Sequence, residues 1–378
     1  MNHMQKEKLL HKEGITVTTE LCDDIIKECD EFLKGNEKAS FYHHPLWLKI
    51  LSMESGQPYY CLISRNDSGL INGILPLLKT RGIPFNSFGA LSSRRISSLP
   101  RTPFAGPLTL NQQVEAKMLE RATEIQNENP NYLLQLKTDY KIDYQDSGLR
   151  TIEWRKSFVK SIPGPEETLK FESHLAEKNI RKNVRKAEQA NIKFRQAKDI
   201  KELLEWYKLY LDRMRFHKVP ARSIKFFISC WNILKPAGLM DLNLAVLDRG
   251  SKTELLSGNI NFKFRNAYYG AFNAGNMGKS NLMFGDFLMY NQLLMLQEKG
   301  YKSYDFGEVP ANHCSLESFK KKWGMEQVQI YHNYYGKKSE EISNNLDFFE
   351  GDKLSTKLWR RVPLTVTAVA GKLVNKRL

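Results

Sequence analysis

The sequence has few cysteines and no long apolar run, and each absence excludes a class of protein. Its five cysteines are odd in number, widely scattered and never spaced C-x-x-C, which argues against a disulfide framework and a cysteine-based metal site. No window reaches the roughly 18 apolar residues of a membrane-spanning helix. The first residues also lack the pattern of a secretory signal. We therefore expect a cytoplasmic protein with no metal centre.

Positive charge is the strongest bias in the composition. The 378 residues carry a formal net charge of +15, which favours partners with phosphate groups or an anionic surface. RNA, a nucleotide-bearing donor and lipid headgroups all fit this charge, and so does a basic protein with no anionic partner. The hydrophobic share of 41% and the aromatic share of 11% are those of a folded protein. The length predicts two domains.

The predicted elements follow a similar order in the two halves of the chain. Each half begins with amphipathic helices and continues with strands joined by short turns, such as the Asn66–Gly69 turn. The Pro163–Pro165 segment is the expected boundary. This order predicts an α+β protein with domains at 15–162 and 166–345, which look duplicated. A basic amphipathic segment is expected at 352–378.

One predicted helix, at 176–192, has an apolar stripe and a cationic back. The cations on the back are Lys178, Arg181, Lys182, Arg185 and Lys186. A solvated charged face is the usual explanation for such a pattern. A clamp for a polyanion, such as tRNA or a pyrophosphate, is the functional alternative. His217, at the end of a later cationic helix, is a candidate substrate contact, although histidines there more often cap or pack.

Two segments near the end of the second domain could carry chemistry. Asp305 ends a predicted buried strand in the sequence Tyr-Asp-Phe-Gly, where a carboxylate could act as a general base or anchor an amine. Lys320 lies in Ser-Phe-Lys-Lys-Lys-Trp-Gly, and a lysine there could neutralise an oxyanion. The structural alternatives are an aspartate that caps a turn and a solvated basic turn. The Tyr268–Tyr269 pair favours sheet packing over a substrate wall.

Taken together, five segments of the chain resemble the FemAB-like branch of the GNAT-type acyltransferases. They are FYHHPLWLKIL from Phe41, GILPLL from Gly73, IRKNVRKAEQANIKF from Ile180, YDFGEVP from Tyr304 and SFKKKWG from Ser318. The resemblance implies two tandem GNAT-like domains, each with a mixed, mainly antiparallel sheet and flanking helices. It also implies transfer of an acyl group to an amine of a sugar, lipid or cell-envelope precursor.

The resemblance assigns expected roles to individual residues. Phe319 and Lys320 match the Phe-Lys pair of the family, with Lys320 as charge stabiliser, and Asp305 matches its strand-end acid. Arg181 and Arg185 match its basic helix, where donor or substrate phosphate would lie. The acceptor side would be lined by Tyr269, and Trp323 in the Phe-Lys segment is a further expected substrate contact.

Two departures from the family leave the donor open. The long helical arm by which the peptidoglycan-bridging members engage tRNA is not visible, so a thioester donor, acyl-CoA or acyl-ACP, is expected, with no bound cofactor. The Arg/Gln-x-x-Gly-x-Gly pyrophosphate loop of ordinary GNAT enzymes is also missing, the nearest stretch being Ala274–Lys279. Aminoacyl-tRNA-dependent peptidyl transfer in peptidoglycan bridge formation remains an alternative. A non-catalytic RNA- or membrane-binding protein is a second.

The C-terminal segment at 352–378 combines apolar residues with cationic flanks. Such a segment suits the surface of an anionic membrane, where each cation contributes about 1 kcal/mol near the headgroups. Packing of the segment on the second domain is the alternative. The membrane interpretation predicts a peripheral protein on the inner membrane face with a lipid-linked acceptor.

Overall fold

The computed structural model describes most of the chain and resolves it into two compact units. The described residues are 10–12, 14–82, 94–142, 148–217, 219–250, 253–310, 313–337, 339–340, 371 and 375–377. Unit 1 comprises the described residues up to 155, together with 329–340 and 376–377. Unit 2 comprises the described residues of 156–328, together with 371 and 375.

Unit 1 is a sheet flanked by three helices. Its strands are β1 (Leu10–Lys12), β2 (Ile15–Thr18), β3 (Tyr59–Arg65), β4 (Ile71–Thr80), β5 (Arg95–Ser97), β6 (Leu108–Thr109) and β7 (Leu133–Thr138), with α1 (Asp23–Gly35), α2 (Pro45–Ser55) and α3 (Gln112–Asn127). Two longer strands cross the unit limits: β8 (Arg150–Ser161) starts in unit 1, and β14 (Glu326–Tyr335) ends there.

The strand order in unit 1 is β1-β2-β3-β4-β5-β7-β14, with β6 on β4. The β5–β7 pair is parallel and is connected through α3, whereas the other described pairs are antiparallel. Helix α3 buries Val114, Met118 and Ile125 against the apolar face of the sheet. This packing removes apolar surface from water, which stabilises the unit. Helix α2 ends at Gly56, whose φ of +64° suits glycine.

Unit 2 repeats this design with more helices. Its elements are α4 (His174–Gln189), β9 (Ile192–Gln196), α5 (Ile200–His217), α6 (Ile224–Leu234), β10 (Met240–Asp248), β11 (Thr253–Phe264), β12 (Ala267–Gly275), α7 (Phe284–Glu298), β13 (Ser303–Val309) and α8 (Cys314–Lys321). The strand order is β8-β13-β12-β11-β10-β9, in which β12 and β13 are parallel and the other described pairs are antiparallel.

Two apolar layers cover the sheet of unit 2. Helices α4 and α7 contribute Ile180, Val184 and Leu293 to a core that also contains Trp323. Helices α5 and α6 pack an aromatic cluster against Phe272 of β12, and its rings meet mostly edge to face: Trp206, Tyr207, Tyr210, Phe226, Phe227 and Phe272. Each parallel pair, β5–β7 and β12–β13, is thus connected through a helix that packs on its own sheet.

The α+β fold with two tandem domains is confirmed, and each unit has the expected mixed, mainly antiparallel sheet. The last strand differs in detail from the expected domain limits. Residues 331–335 of β14 pair with β7 and belong to unit 1, whereas the sequence placed residues up to 345 in the second domain. The segment predicted at 352–378 lies outside the described residues except for 371 and 375–377. No described helix is long and apolar enough to cross a membrane.

Candidate active site

The parallel strands β12 and β13 separate partway along their length. They pair at three positions only, from Ala267 opposite Ser303 to Tyr269 opposite Asp305. Beyond Asp305, the register of β13 against β8 shifts before Glu308, which marks a β-bulge. The bulge contains Gly307 at φ +75°, a conformation that favours glycine. The two strands are therefore unpaired beyond Tyr269 and Asp305, and we call the region between their unpaired ends the opening.

Asp305 is buried and held at this point by two hydrogen bonds. Its Oδ1 accepts from the Ser157 hydroxyl at 2.7 Å and from the Gly307 backbone N–H at 2.7 Å. Ser157 lies on β8 opposite Glu308, so the bulge brings the two side chains together. Two donors directed at one carboxylate oxygen fix its orientation and favour its charged form. The strand-end acid predicted from the sequence thus lies at the edge of the opening.

Lys320 lies on α8 directly beside the bulge. Its ammonium donates to three backbone carbonyls, those of Phe306, Gly307 and Glu308, at 2.8, 2.7 and 3.2 Å. Burial lowers the pKa of Lys320 to about 8, and the carboxylates of Asp305 and Glu308 oppose this shift. An ammonium has three N–H donors, so the three carbonyls use all of them. Lys320 therefore shapes the bulge that positions Asp305.

Glycine and tyrosine residues form the floor next to the opening. A Cβ added at Gly270 would lie 2.6 Å from the Tyr304 hydroxyl oxygen, so only glycine fits beside Tyr304. Tyr269 is buried on β12 directly opposite Asp305. Tyr269, which the resemblance places on the acceptor side, thus lies next to Asp305.

A network of neutral side chains supports the floor from within unit 2. The Tyr304 hydroxyl donates to Asn261 Oδ1 at 3.1 Å. Asn261 and Asn243 both donate to Gln292 Oε1, at 3.1 and 3.0 Å. Tyr268 accepts from Asn243 at 3.1 Å. These side chains are buried, and their mutual hydrogen bonds fix the sheet beneath the opening.

The N-terminus of helix α7 carries a carboxylate of the chain itself. Asp286, in the first turn, accepts from the Lys322 ammonium at 2.6 Å and from the Asn183 amide at 2.7 Å. Helix N-termini favour anions because of their unsatisfied N–H groups and the helix dipole. Since Asp286 supplies that negative charge, a pyrophosphate at this helix end would compete with it.

The two arginines predicted on the basic helix lie on the exposed side of α4. Arg181 bonds the Glu177 carboxylate at 2.8 Å and the Tyr290 hydroxyl at 3.0 Å. The hydrogen bond with Glu177 raises the pKa of Arg181. Arg185 is exposed on the same helix. Both cations could meet a phosphate from solvent, although Arg181 would exchange an existing ion pair for it.

The remaining predicted contacts have different surroundings. His217 is exposed at the end of α5 and meets the Phe216 ring edge to face at 5.2 Å. Phe319 is 37% exposed, with the Lys322 ammonium 4.6 Å from its ring centroid. Trp323 is fully buried in the core of unit 2, so we leave it out of the proposed site. Of the predicted residues, the structure brings together Asp305, Tyr269 and Lys320.

Ser157 and the amide network were not predicted from the sequence. Ser157 follows two charged residues within a strand, and nothing in the sequence pairs it with Asp305. The network had a visible signal, since Asn259, Asn261 and Lys263 alternate with apolar residues along β11. Polar residues at every second position of a buried strand indicate one polar face. Among the described residues, no group of three or more His, Cys, Asp or Glu side chains could hold a metal ion.

Comparison with known proteins confirms the resemblance predicted from the sequence. Residues 176–321 match a family model described as an acetyltransferase (GNAT) domain. No curated protein matches the chain. The match and the geometry of unit 2 support a transferase with a GNAT acyltransferase-like fold.

Solved structures extend the likeness to most of the chain. The crystal structure of FemX has a TM-score of 0.60 at 14% identity, covering 84% of this chain and 96% of that one. The C-terminal domain of an Agrobacterium fabrum protein described as a lysylphosphatidylglycerol synthetase has a TM-score of 0.55 at 12% identity, covering 84% and 93%. L-PGS from Bacillus licheniformis has a TM-score of 0.54 at 12% identity, covering 92% and 96%. At these identities the likeness shows a shared fold.

Proposed function

We propose that this chain transfers an acyl group from an activated ester or thioester to an amine at the opening between β12 and β13. The observation that carries the proposal is the separation of these parallel strands at a buried carboxylate, Asp305, fixed by Ser157 and by the bulge that Lys320 holds. The opening exposes strand backbone, which can bind an extended donor chain by main-chain hydrogen bonds. The carboxylate is suited to a cationic or neutral amine.

The reaction needs no covalent enzyme intermediate. The acceptor amine attacks the donor carbonyl carbon, a C–N bond forms, and the carbonyl oxygen takes the negative charge. Asp305 orients the amine and accepts its proton, and the bond to the leaving oxygen or sulfur then breaks, with a proton returned to that atom. General-base assistance of this kind contributes about 10²–10⁴ in rate.

Lys320 contributes through position and charge. Its three donors are used by the carbonyls of the bulge, so direct donation to the oxyanion would require one of these bonds to break. Its positive charge nevertheless lies beside Asp305 and favours negative charge in the opening. We therefore propose that Lys320 mainly positions the bulge and Asp305, and that its charge also stabilises the oxyanion.

The donor of the proposal is a thioester, acyl-CoA or acyl-ACP, because GNAT domains are suited to such donors. One observation favours an aminoacyl ester, as in aminoacyl-tRNA, as the second candidate. Asp286 occupies the N-terminus of α7 and would compete with the pyrophosphate of coenzyme A. The lysylphosphatidylglycerol synthetase among the similar folds has a name that describes an aminoacylated lipid. The exposed cations of α4 would meet phosphate from either donor.

The acceptor in the proposal is an amine of a sugar, lipid or cell-envelope precursor, reached from the cytoplasm by a peripheral membrane protein. The cationic face of α4 supports this setting, because exposed lysines and arginines attract anionic lipid headgroups. Within this face, Arg181 and Arg185 are the residues that the proposal assigns to phosphate binding.

The test is a product assay with matched donors. Purified protein is incubated with a panel of amino sugars and aminolipids and with acyl-CoA, acyl-ACP or aminoacyl-tRNA, and N-acylated products are identified by mass spectrometry. The proposal predicts a product with at least one donor class. Product that disappears after RNase treatment of the donor identifies the aminoacyl ester. Salt-sensitive binding without product for any donor would support a non-catalytic RNA- or membrane-binding protein instead.

A further inference from the structure

Three neighbouring strands of unit 1 carry polar side chains on one face. Strand register places polar residues of β5, β7 and β14 beside one another on this face. They are Arg95, Ser97, Gln135, Lys137, His332 and Tyr334. All six are buried. Since successive side chains point to opposite faces of a strand, these residues share one face, and Ile96, Leu134 and Leu136 face the apolar core.

Hydrogen bonds link the neutral members of this face. The Ser97 hydroxyl donates to Gln135 Oε1 at 3.0 Å, and Gln135 Nε2 donates to the Tyr334 hydroxyl at 3.0 Å. The His332 Nδ1 lies 3.2 Å from the same hydroxyl, and its ring stacks on Trp154 at 4.2 Å. Burial and the nearby cations hold the pKa of His332 well below its ordinary value. The imidazole is therefore neutral.

Arg95 is the exception in this network. Its side chain is 5% exposed. Its one hydrogen bond among the described residues runs from Nη1 to Gln135 Oε1 at 3.5 Å, which is long for a hydrogen bond. The buried Nε has no partner. A buried cation normally has a carboxylate partner, because an uncompensated charge is costly to remove from water.

Another buried arginine of unit 1 shows the usual arrangement. Arg121 on α3 has a side chain 8% exposed and bonds the carboxylates of Glu124 and Glu128 at 2.9 and 3.2 Å. The Nε of Arg121 is also buried without a partner, so the contrast with Arg95 lies in the two carboxylates. It also provides a matched control.

Backbone strain lies next to this face. Leu99 and Arg101 have φ values of +65° and +56°, although neither is glycine. The Lys137 ammonium donates to the carbonyls of Leu99 and Thr102 at 2.8 and 3.1 Å, and Ser98 Oγ accepts from the Lys137 backbone N–H at 2.7 Å. Such conformations occur where surrounding structure enforces them, often at ligand sites. The strained loop therefore binds the ammonium of Lys137, the second cation of the polar face.

We propose that the polar face of β5, β7 and β14 is a binding site for a phosphate group, with Arg95 as the principal donor. The planar guanidinium offers donors in a fork that matches two phosphate oxygens. Ser97 and Tyr334 supply hydroxyl groups on the same face, and Lys137 adds positive charge. The excess of cations over described carboxylates favours a phosphate, which carries up to two negative charges, over a single carboxylate. This inference does not depend on the proposed acyl transfer.

The experiment measures binding to the full-length protein by isothermal titration calorimetry. The probes are inorganic pyrophosphate, a nucleoside diphosphate and short-chain phosphatidic acid, at constant ionic strength. The variants are Arg95→Met, Arg95→Lys and the control Arg121→Met. Arg95→Met should weaken binding by about tenfold or more, because hydrogen bonds to charged groups are lost. Arg95→Lys, which keeps the charge without the fork, should weaken it less, and Arg121→Met should leave it unchanged.

Melting temperatures provide a readout that a purely structural arginine would not give. Without phosphate, Arg95→Met should melt at or above the wild-type temperature, since it removes an uncompensated buried charge. Arg121→Met should melt lower, because it removes the salt bridges to Glu124 and Glu128. Preference for the nucleoside diphosphate would identify a soluble source of the phosphate, and preference for phosphatidic acid a lipid source. Equal binding by wild type and both Arg95 variants, absence of binding to all three probes, or destabilisation by Arg95→Met would each overturn the proposal.

Discussion

The two units each bury a cation beside their sheet, but they surround it differently. In unit 2, Lys320 donates to three backbone carbonyls within 3.2 Å. In unit 1, Arg95 has one hydrogen bond of 3.5 Å among the described residues and an Nε without a partner. Lys320 therefore completes a scaffold inside the protein, whereas Arg95 lacks the partner that burial requires. A buried cation marks a candidate site in both units. The hydrogen-bond partners of the cation then indicate whether it has a structural role or binds a ligand.

The buried polar networks of the two units differ in the same way. In unit 2, Gln292, Asn243 and Asn261 are neutral and bond mainly to one another. The Asn243 Oδ1 is the one buried polar atom of these three residues without a partner. In unit 1, the network around Gln135 includes the charged Arg95 and borders Lys137. The donors and acceptors of a neutral network can bond to one another, whereas a buried cation also needs a negative charge nearby.

The largest expected change in stability is that of Lys320→Met. The substitution removes the donor of three part-buried carbonyls, and we expect the free energy of unfolding to fall by about 2–4 kcal/mol. Urea denaturation followed by tryptophan fluorescence measures this. Arg95→Met is the partner experiment, and it should show no such loss. If both variants lost stability equally, the distinction between the two cations would be wrong.

Gln292→Met tests the neutral network of unit 2. The substitution keeps the volume but removes the acceptor for Asn243 and Asn261, so we expect a loss of about 1–3 kcal/mol in the free energy of unfolding. Urea denaturation measures the loss, and the exposed Gln327→Met serves as control. Unchanged stability of Gln292→Met would show that these amides find other partners.

A pH series separates the two effects of the Lys320 charge. Because the pKa of Lys320 is lowered from 10.5 to about 8, the ammonium is present below pH 8 and is lost above it. Transfer should therefore fall as pH rises through 8, by up to about tenfold per unit, or about 1.4 kcal/mol. A rate that stays constant from pH 7 to 10 would contradict this role of the charge.

Stability should change in the opposite direction over the same pH range. Between pH 8 and 10.5 the unfolded state binds more protons than the folded state, so Lys320 makes stability rise with pH. Burial also lowers the pKa of Lys160 to about 8, so the wild-type rise contains both lysines. Comparison with Lys320→Met isolates the contribution of Lys320, and identical pH profiles of stability would refute it.

The smallest expected effect is that of Arg181→Ala on the surface of α4. Arg181 is 46% exposed in its ion pair with Glu177, and exposed pairs contribute roughly 0–1 kcal/mol. We expect less than about 1 kcal/mol of lost stability, together with weaker, more salt-dependent binding of a phosphate-bearing donor. Fluorescence titration at two salt concentrations measures the binding, and Arg185→Ala is the matched comparison. Unchanged donor affinity in both variants would remove α4 from the binding surface.

The sequence predicted the architecture well because periodicity and turn residues are local signals. The apolar stripe of α4 is buried at Ile180, Val184 and Ala187, and the glycine after α2 ends that helix. Pairing of β14 with β7 could not be predicted, because strand pairing between distant segments leaves no local pattern. The order of helices and strands along the chain would be the same if β14 paired within unit 2, so that order cannot assign β14 to a unit.

The candidate site was only partly predictable for a similar reason. The resemblance located Asp305 and Lys320. The carbonyl contacts of Lys320 depend on a β-bulge, which the residue pattern does not predict. Trp323, expected from the resemblance as a substrate contact, is instead buried in the core of unit 2. The polar face around Arg95 had a signal in the alternation of polar and apolar residues on β5 and β7. That signal becomes meaningful once these strands are known to be neighbours.

The most direct test of the central claim is the turnover number of Asp305→Asn in the product assay. The substitution keeps the shape of the side chain and removes its charge, and Asp248→Asn at an exposed turn is the control. Circular dichroism confirms that both variants are folded. We predict a loss of about 10²–10⁴-fold in turnover for Asp305→Asn, as expected for removal of a general base, and wild-type turnover for Asp248→Asn. Wild-type turnover in a folded Asp305→Asn protein would contradict the claim that acyl transfer occurs at this carboxylate.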